Sequence, residues 1–200
     1  MKPEFFEIPG PEAVTPMDDM TVSKIYGAVT KKLSELGLKI TTMESCTGGM
    51  ISSFLTDAEG ASATTDGAFT TYSNGAKTDR GVPADTIVRF GVYSEETAEA
   101  MAAACAEAFN ADIGIGITGT FANLDENNGD SVERTVYACI YGTRRASWKK
   151  ETHKYELPDM GEGYPRHGYK LMVAVAVAYA LFEFLGMETR IINHGEGGNV

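Results

Sequence analysis

Five short runs rich in β-branched and apolar residues, "LKITTM", "AFTTYS", "ADIGIGITG", "RTVYACIYG" and "ASWKKETHKYEL", punctuate a chain whose other apolar residues recur at helical spacing. No other feature narrows the fold as far. Strands separated by helices build a sheet whose faces the helices cover. Val22, Ile25, Tyr26, Val29 and Leu33 mark the first helix, with Asp19 or Thr21 as its cap and Gly37 as its stop. Met50, Ile51, Phe54 and Leu55 mark a second, and Asn74 opens a short helix or turn. Ser94 caps a helix through "AEAMAAACAEAF", with Glu95 and Glu96 in its first turn, where the helix dipole favours negative charge. The last helix runs from about Arg166 to Leu185. The final two strands meet at "TRR" as a hairpin, so the sheet is mixed and the class is α/β.

Two hundred residues suit one domain. It is expected to span 19–187, after an extended arm at 1–18 and before a flexible tail at 188–200. The formal net charge is −11 and no basic run exceeds a pair, which argues against a nucleic-acid partner. Cys46, Cys105 and Cys139 are widely spaced and odd in number, so neither a zinc site nor a disulfide framework is expected. That usage fits a reducing cytoplasm. The N-terminus lacks the apolar core of a signal peptide. The apolar run Leu171–Phe182 is too short to span a bilayer, so no membrane role is expected.

The stretch "TTMESCTGGMISS" passes from strand pattern to helix pattern through two glycines. It reads either as a turn capped by Ser45 or Thr47, or as an exposed nucleophile beside converging N–H groups. Ser45 and Cys46 are both candidates for that nucleophile. A nearby helix N-terminus favours a Cys46 thiolate, while strand alternation points one of the two to the cleft and the other to the core. A serine needs a base. None of His153, His167 and His194 has an acidic partner in a recognisable pattern, whereas Tyr72 and Lys77 lie at a strand end and the turn after it. Thr118 and Gly119 end a strand, either as a ligand-facing turn or as a plain stop. Arg166 is placed to pair with a phosphate or carboxylate. The acidic stretch Asp125 to Asp130 lacks the spacing of a calcium loop, so no metal is expected.

"ESCTGG" (44–49), "FTTYSNGAK" (69–77), "GVYSEETAEAMA" (91–102) and "ITG" (117–119) stand together in one order. In this combination the chain resembles the CinA C-terminal domain family, the nicotinamide-nucleotide amidases, over roughly residues 20 to 187. The resemblance implies a three-layer α/β/α fold with a mixed sheet. It also implies hydrolysis of the carboxamide of nicotinamide mononucleotide to nicotinic acid mononucleotide and ammonia, without a cofactor. By position, Ser45 matches the nucleophile, Lys77 the base and Tyr72 the tyrosine beside it. Cys46, Thr47, Gly48, Gly49, Thr118, Gly119 and Arg166 match ligand-holding positions. In this scheme N–H groups near Gly48 and Gly49 hold the oxyanion. Because free lysine titrates near ~10.4, Lys77 must be desolvated or set beside a cation such as Arg80 to act as a base. The resemblance also implies a homodimer.

The family's association with competence would imply a nucleic-acid role, which the −11 charge does not support. The likeness departs at "TFANLDENNGDSVERTV", where the family has a glycine-rich loop, and at Thr64, Thr65 and Gly67, where it has an aromatic pair and an arginine. These departures leave open an amidase for another small amide and a non-catalytic nucleotide-binding module.

Overall fold

The glycine alternation of "IGIGITG" organises the molecule. A computed structural model describes residues 6–9, 17–187 and 189–192. Strand β4 (Ile113–Gly119) lies at the centre of a five-stranded sheet. Its isoleucines Ile113, Ile115 and Ile117 all face the larger core. Its glycines Gly114 and Gly116 face the opposite side, where helix α5 (Glu95–Ala108) lies on the bare backbone. A Cβ on Gly116 would stand 2.0 Å from the Ala98 carbonyl oxygen, and one on Gly114 2.1 Å from that of Ala102. The alanine-rich face of α5 and the glycines of β4 are therefore two halves of one close contact.

Beside β4 run β2 (Ile40–Glu44) and then the two-residue β3 (Phe69–Thr70), all parallel. On the other side β5 (Thr135–Gly142) and β6 (Lys150–Glu156) continue antiparallel as a hairpin. Helices α1 (Asp19–Leu36), α2 (Met50–Thr56) and α6 (Arg166–Phe184) cover the isoleucine face. Helix α5 and the short α4 (Ala84–Phe90) cover the glycine face, and α3 (Asn74–Thr78) follows β3. The result is a three-layer α/β/α arrangement with a mixed sheet.

Helix α1 is capped by Asp18 and not by Asp19 or Thr21: the Asp18 carboxylate accepts the Thr21 N–H at 2.8 Å. Gly37 ends it in the left-handed region, at φ 62°. Ser94 caps α5 by accepting the Thr97 N–H at 3.1 Å. Helix α4 had no apolar signature because none of its residues is buried. Within the segments read as arm and tail, Phe6–Pro9 and Thr189–Ile192 pair in parallel as β1 and β7. Met17 and Asp18 of the arm are also described; the rest of those two segments, His194 included, lies outside the described residues. Among the described residues no helix is long and apolar enough to cross a membrane.

Candidate active site

Strand β2 delivers Ser45 to the C-terminal edge of the sheet, where its N–H donates to the Ile117 carbonyl of β4 at 3.0 Å. Sheet edges of this kind are where α/β folds gather ligands. Lys77 arrives from α3, whose cap Ser73 accepts the Ala76 N–H at 3.1 Å. Its Nζ lies 3.1 Å from Ser45 Oγ and 2.9 Å from the Thr71 carbonyl oxygen. Lys77 is 1% exposed and Ser45 6%. Burial disfavours the charged ammonium and lowers the Lys77 pKa from 10.5 to about 8, with Asp125 partly opposing the shift. Once deprotonated, the amine keeps a donor for the Thr71 carbonyl and has a lone pair free for the serine hydroxyl proton. This is the arrangement that nucleophilic activation of a serine by a lysine needs. Arg80 takes no part in it; its guanidinium lies over the Phe69 ring, 5.1 Å from the centroid. Desolvation, and not a neighbouring cation, lowers the pKa.

The turn after Ser45 is built around Glu44. Strand alternation places Glu44 on the isoleucine side, fully buried under α2. Its carboxyl oxygens accept the N–H groups of Gly49 (3.0 Å), Ile51 (3.2 Å) and Ser52 (2.8 Å) and the Thr42 hydroxyl (2.9 Å). These are the first free N–H groups of α2, which Gly49 opens without a side-chain cap. The Gly48 N–H donates to the Ser45 carbonyl at 3.0 Å. The expectation that Gly48 and Gly49 hold an oxyanion is corrected here, since both N–H groups are already engaged.

The cleft beside Ser45 and Lys77 encloses about 500 Å³. The segment 119–128 forms one wall, and Tyr72, Asn74, Tyr93 and Arg166 contribute to the rest. Read from the sequence as a mobile acidic loop, this segment is tied down at several points. Asp125 accepts from the Tyr93 hydroxyl, from Asn128 Nδ2 at 2.6 Å and from the Asn127 N–H at 2.9 Å. Asn128 in turn accepts from Asn74 Nδ2 of the lysine-bearing helix at 2.9 Å, and Asp130 accepts the Tyr93 N–H at 2.9 Å. Arg166 stands at the mouth, with its guanidinium 4.6 Å from the Phe121 ring centroid and Nη2 donating to the Tyr72 hydroxyl at 3.2 Å.

The profile of the CinA C-terminal domain matches residues 22–162, well over half of the chain. The chain belongs to that family. A CinA-like protein of Mycobacterium sp. (strain MCS) is 41% identical over 123 residues, covering 61% of this chain and 28% of that protein. A CinA-like protein of Leptospira interrogans (serovar copenhageni) is 32% identical over 162 residues, covering 80% of this chain and 37% of its own length. The chain thus spans about a quarter to a little over a third of the curated relatives it matches. The crystal structure of competence/damage inducible protein CihA from Agrobacterium tumefaciens superposes with a TM-score of 0.71 at 27% identity, covering 82% of this chain and 94% of that one.

On this CinA-type scaffold, Ser45, Lys77, Cys46, Tyr72, Gly119 and Arg166 meet at the cleft. Thr47, Gly48, Gly49 and Thr118 do not line it. Thr47 is fully buried, and the Thr118 hydroxyl donates to the Val92 carbonyl at 2.8 Å, pinning the end of β4 to the turn before α5. Cys46 packs into the larger core at 2% exposure, and burial pushes its thiol up to about 12. That burial outweighs the adjacent helix N-terminus, so the expected lowering is reversed and Cys46 stays a thiol near neutrality. Tyr72 is 66% exposed and bonded to Arg166, so it is a rim residue and not a relay between Lys77 and Ser45. His153 and His167 lie away from the cleft, on β6 and beside Asp19. Among the described residues no group of three His, Cys, Asp or Glu side chains is arranged to hold a metal ion.

Sequence reasoning gave no role to Glu44, Tyr93, Asn74 or Asn128. For Glu44 a signal existed: an acidic residue just ahead of a glycine pair that opens a helix with no capping side chain of its own.

Proposed function

We propose that the chain is an amidohydrolase that converts nicotinamide mononucleotide to nicotinic acid mononucleotide and ammonia. The observation that carries this is the 3.1 Å approach of Lys77 Nζ to Ser45 Oγ in a desolvated pocket, with the lysine pKa lowered to about 8. Neutral Lys77 takes the hydroxyl proton as Ser45 Oγ bonds to the carboxamide carbon. In this reading the N–H of Cys46, the residue after the nucleophile, is assigned to the developing oxyanion. The C–N bond then breaks, and the proton held by Lys77 passes to the leaving nitrogen, releasing ammonia. Lys77, neutral again, deprotonates a water that attacks the ester. The acid product leaves and Ser45 regains its proton.

The test is ammonia release from nicotinamide mononucleotide. Wild type should turn over, while Ser45→Ala and Lys77→Met should each lose at least about a thousandfold. Full activity in Ser45→Ala removes Ser45 as the nucleophile. Nucleotide binding by wild type with no ammonia released makes the chain a nucleotide-holding module.

A further inference from the structure

Among the described residues, the charged side chains lining the cleft are Lys77, Asp125 and Arg166. If Lys77 acts as a base it is neutral in the reacting complex. That leaves one negative group, Asp125, and one positive group, Arg166, on the walls. Among the described residues every hydrogen-bond partner of the Asp125 carboxyl is uncharged: the Tyr93 hydroxyl, the Asn128 and Asn127 amides and the Asn127 N–H. Among the described residues no lysine, arginine or histidine pairs with it. The donors keep the carboxyl ionised, holding its pKa down at about 2, and they fix its position. Tyr93 and Phe121 add aromatic surface nearby. Arg166, bonded to the neutral Tyr72 hydroxyl, retains its charge at the mouth.

We infer that Asp125 is a specificity-determining residue that selects a carboxamide borne on a positively charged heteroaromatic ring, while Arg166 takes an anionic group on the same molecule. This rests on the amidase reading of the site. A fixed, uncompensated carboxylate attracts a cationic ring and repels an anionic one. An N-substituted pyridinium carboxamide with a phosphate carries both charges, and its 1,4-dihydro form keeps the amide and phosphate but has a neutral ring. Asp125 therefore distinguishes the oxidised from the reduced ring.

The experiment uses the Ser45→Ala chain, which lacks the nucleophile, at pH 9, above the Lys77 pKa of about 8, titrated calorimetrically with nicotinamide mononucleotide and with its dihydro form. The cationic ring should bind about tenfold tighter. In Ser45→Ala/Asp125→Asn the preference should vanish, because asparagine still accepts from Tyr93 but carries no charge. In the wild-type background, Asp125→Asn should also move the acid limb of kcat/KM to lower pH, since the charge of Asp125 raises the pKa of Lys77. Equal weakening of both ligands by Asp125→Asn reduces Asp125 to a structural tie and overturns the inference. So does equal affinity of the Ser45→Ala chain for both forms, or binding of neither. A preference that Asp125→Asn abolishes, in a chain whose wild type releases no ammonia, leaves the selectivity standing and rejects the amidase reading instead.

Discussion

Replacing Lys77 with methionine should abolish catalysis and make the protein more stable. Burial lowers the Lys77 pKa from 10.5 to about 8, which corresponds to about 3 kcal/mol of penalty on the ammonium at neutral pH. Methionine has similar length, fills the same buried space and carries no charge. Against that gain stands the Thr71 carbonyl, which loses a donor at 2.9 Å, at a cost of about 1 kcal/mol. The net expectation at pH 7 is about 2 kcal/mol of stabilisation, or about 4–8 °C in Tm for a chain of this size. The unfolded chain keeps the Lys77 proton up to about 10.5, the folded chain only to about 8. Between those values the unfolded state binds more protons, so wild-type stability rises with pH relative to the variant. Below about 8 the full penalty is present; near 10.5 it has gone. Urea unfolding of both proteins at pH 7 and pH 10, analysed as a difference, reads this directly. A variant less stable than wild type at pH 7, or a difference that does not shrink by pH 10, would show that desolvation does not depress the Lys77 pKa.

If Lys77 is the base, kcat/KM for ammonia release should rise about tenfold per pH unit up to a limb near pH 8 and level off above it, because only the neutral amine accepts the proton. A limb near pH 6 would point to another group. Glu44→Ala strips an acceptor from three helix N–H groups and a threonine hydroxyl, and should cost about 3 kcal/mol, seen as a Tm lower by about 6–12 °C. Gly116→Ala drives a methyl to 2.0 Å from the Ala98 carbonyl oxygen and should cost at least about 2 kcal/mol in denaturant titration. Gly129→Ala, with nothing within 4 Å of its added Cβ, should stay within about 0.5 kcal/mol of wild type.

Elements whose signal is local were legible in the sequence. The strand pattern of β4 and the caps Ser94 and Gly37 act within a few residues; the three-layer order came from the family resemblance. Helix α4 was not legible, since a helix with no buried residue leaves no apolar period. The meeting of Ser45 and Lys77 is a contact across 32 residues that no spacing rule encodes; it came from the family resemblance alone. The wall of the cleft was visible as acidic sequence. The residues that order it, Tyr93 and Asn74, stand 32 and 54 residues from their partners Asp125 and Asn128. Glu44 reaches donors five, seven and eight residues ahead, beyond the three-residue reach of an ordinary capping pattern, and so passed as part of a turn.

That carboxyl has a kinetic consequence. Because a covalently attached group already occupies the mouth of α2, the elbow carrying Ser45 keeps its shape with the cleft empty, and no arriving molecule has to organise it. The first turnover after mixing should therefore proceed without a lag, and crowding the solution with free phosphate or sulfate should leave the geometry of the serine turn unchanged.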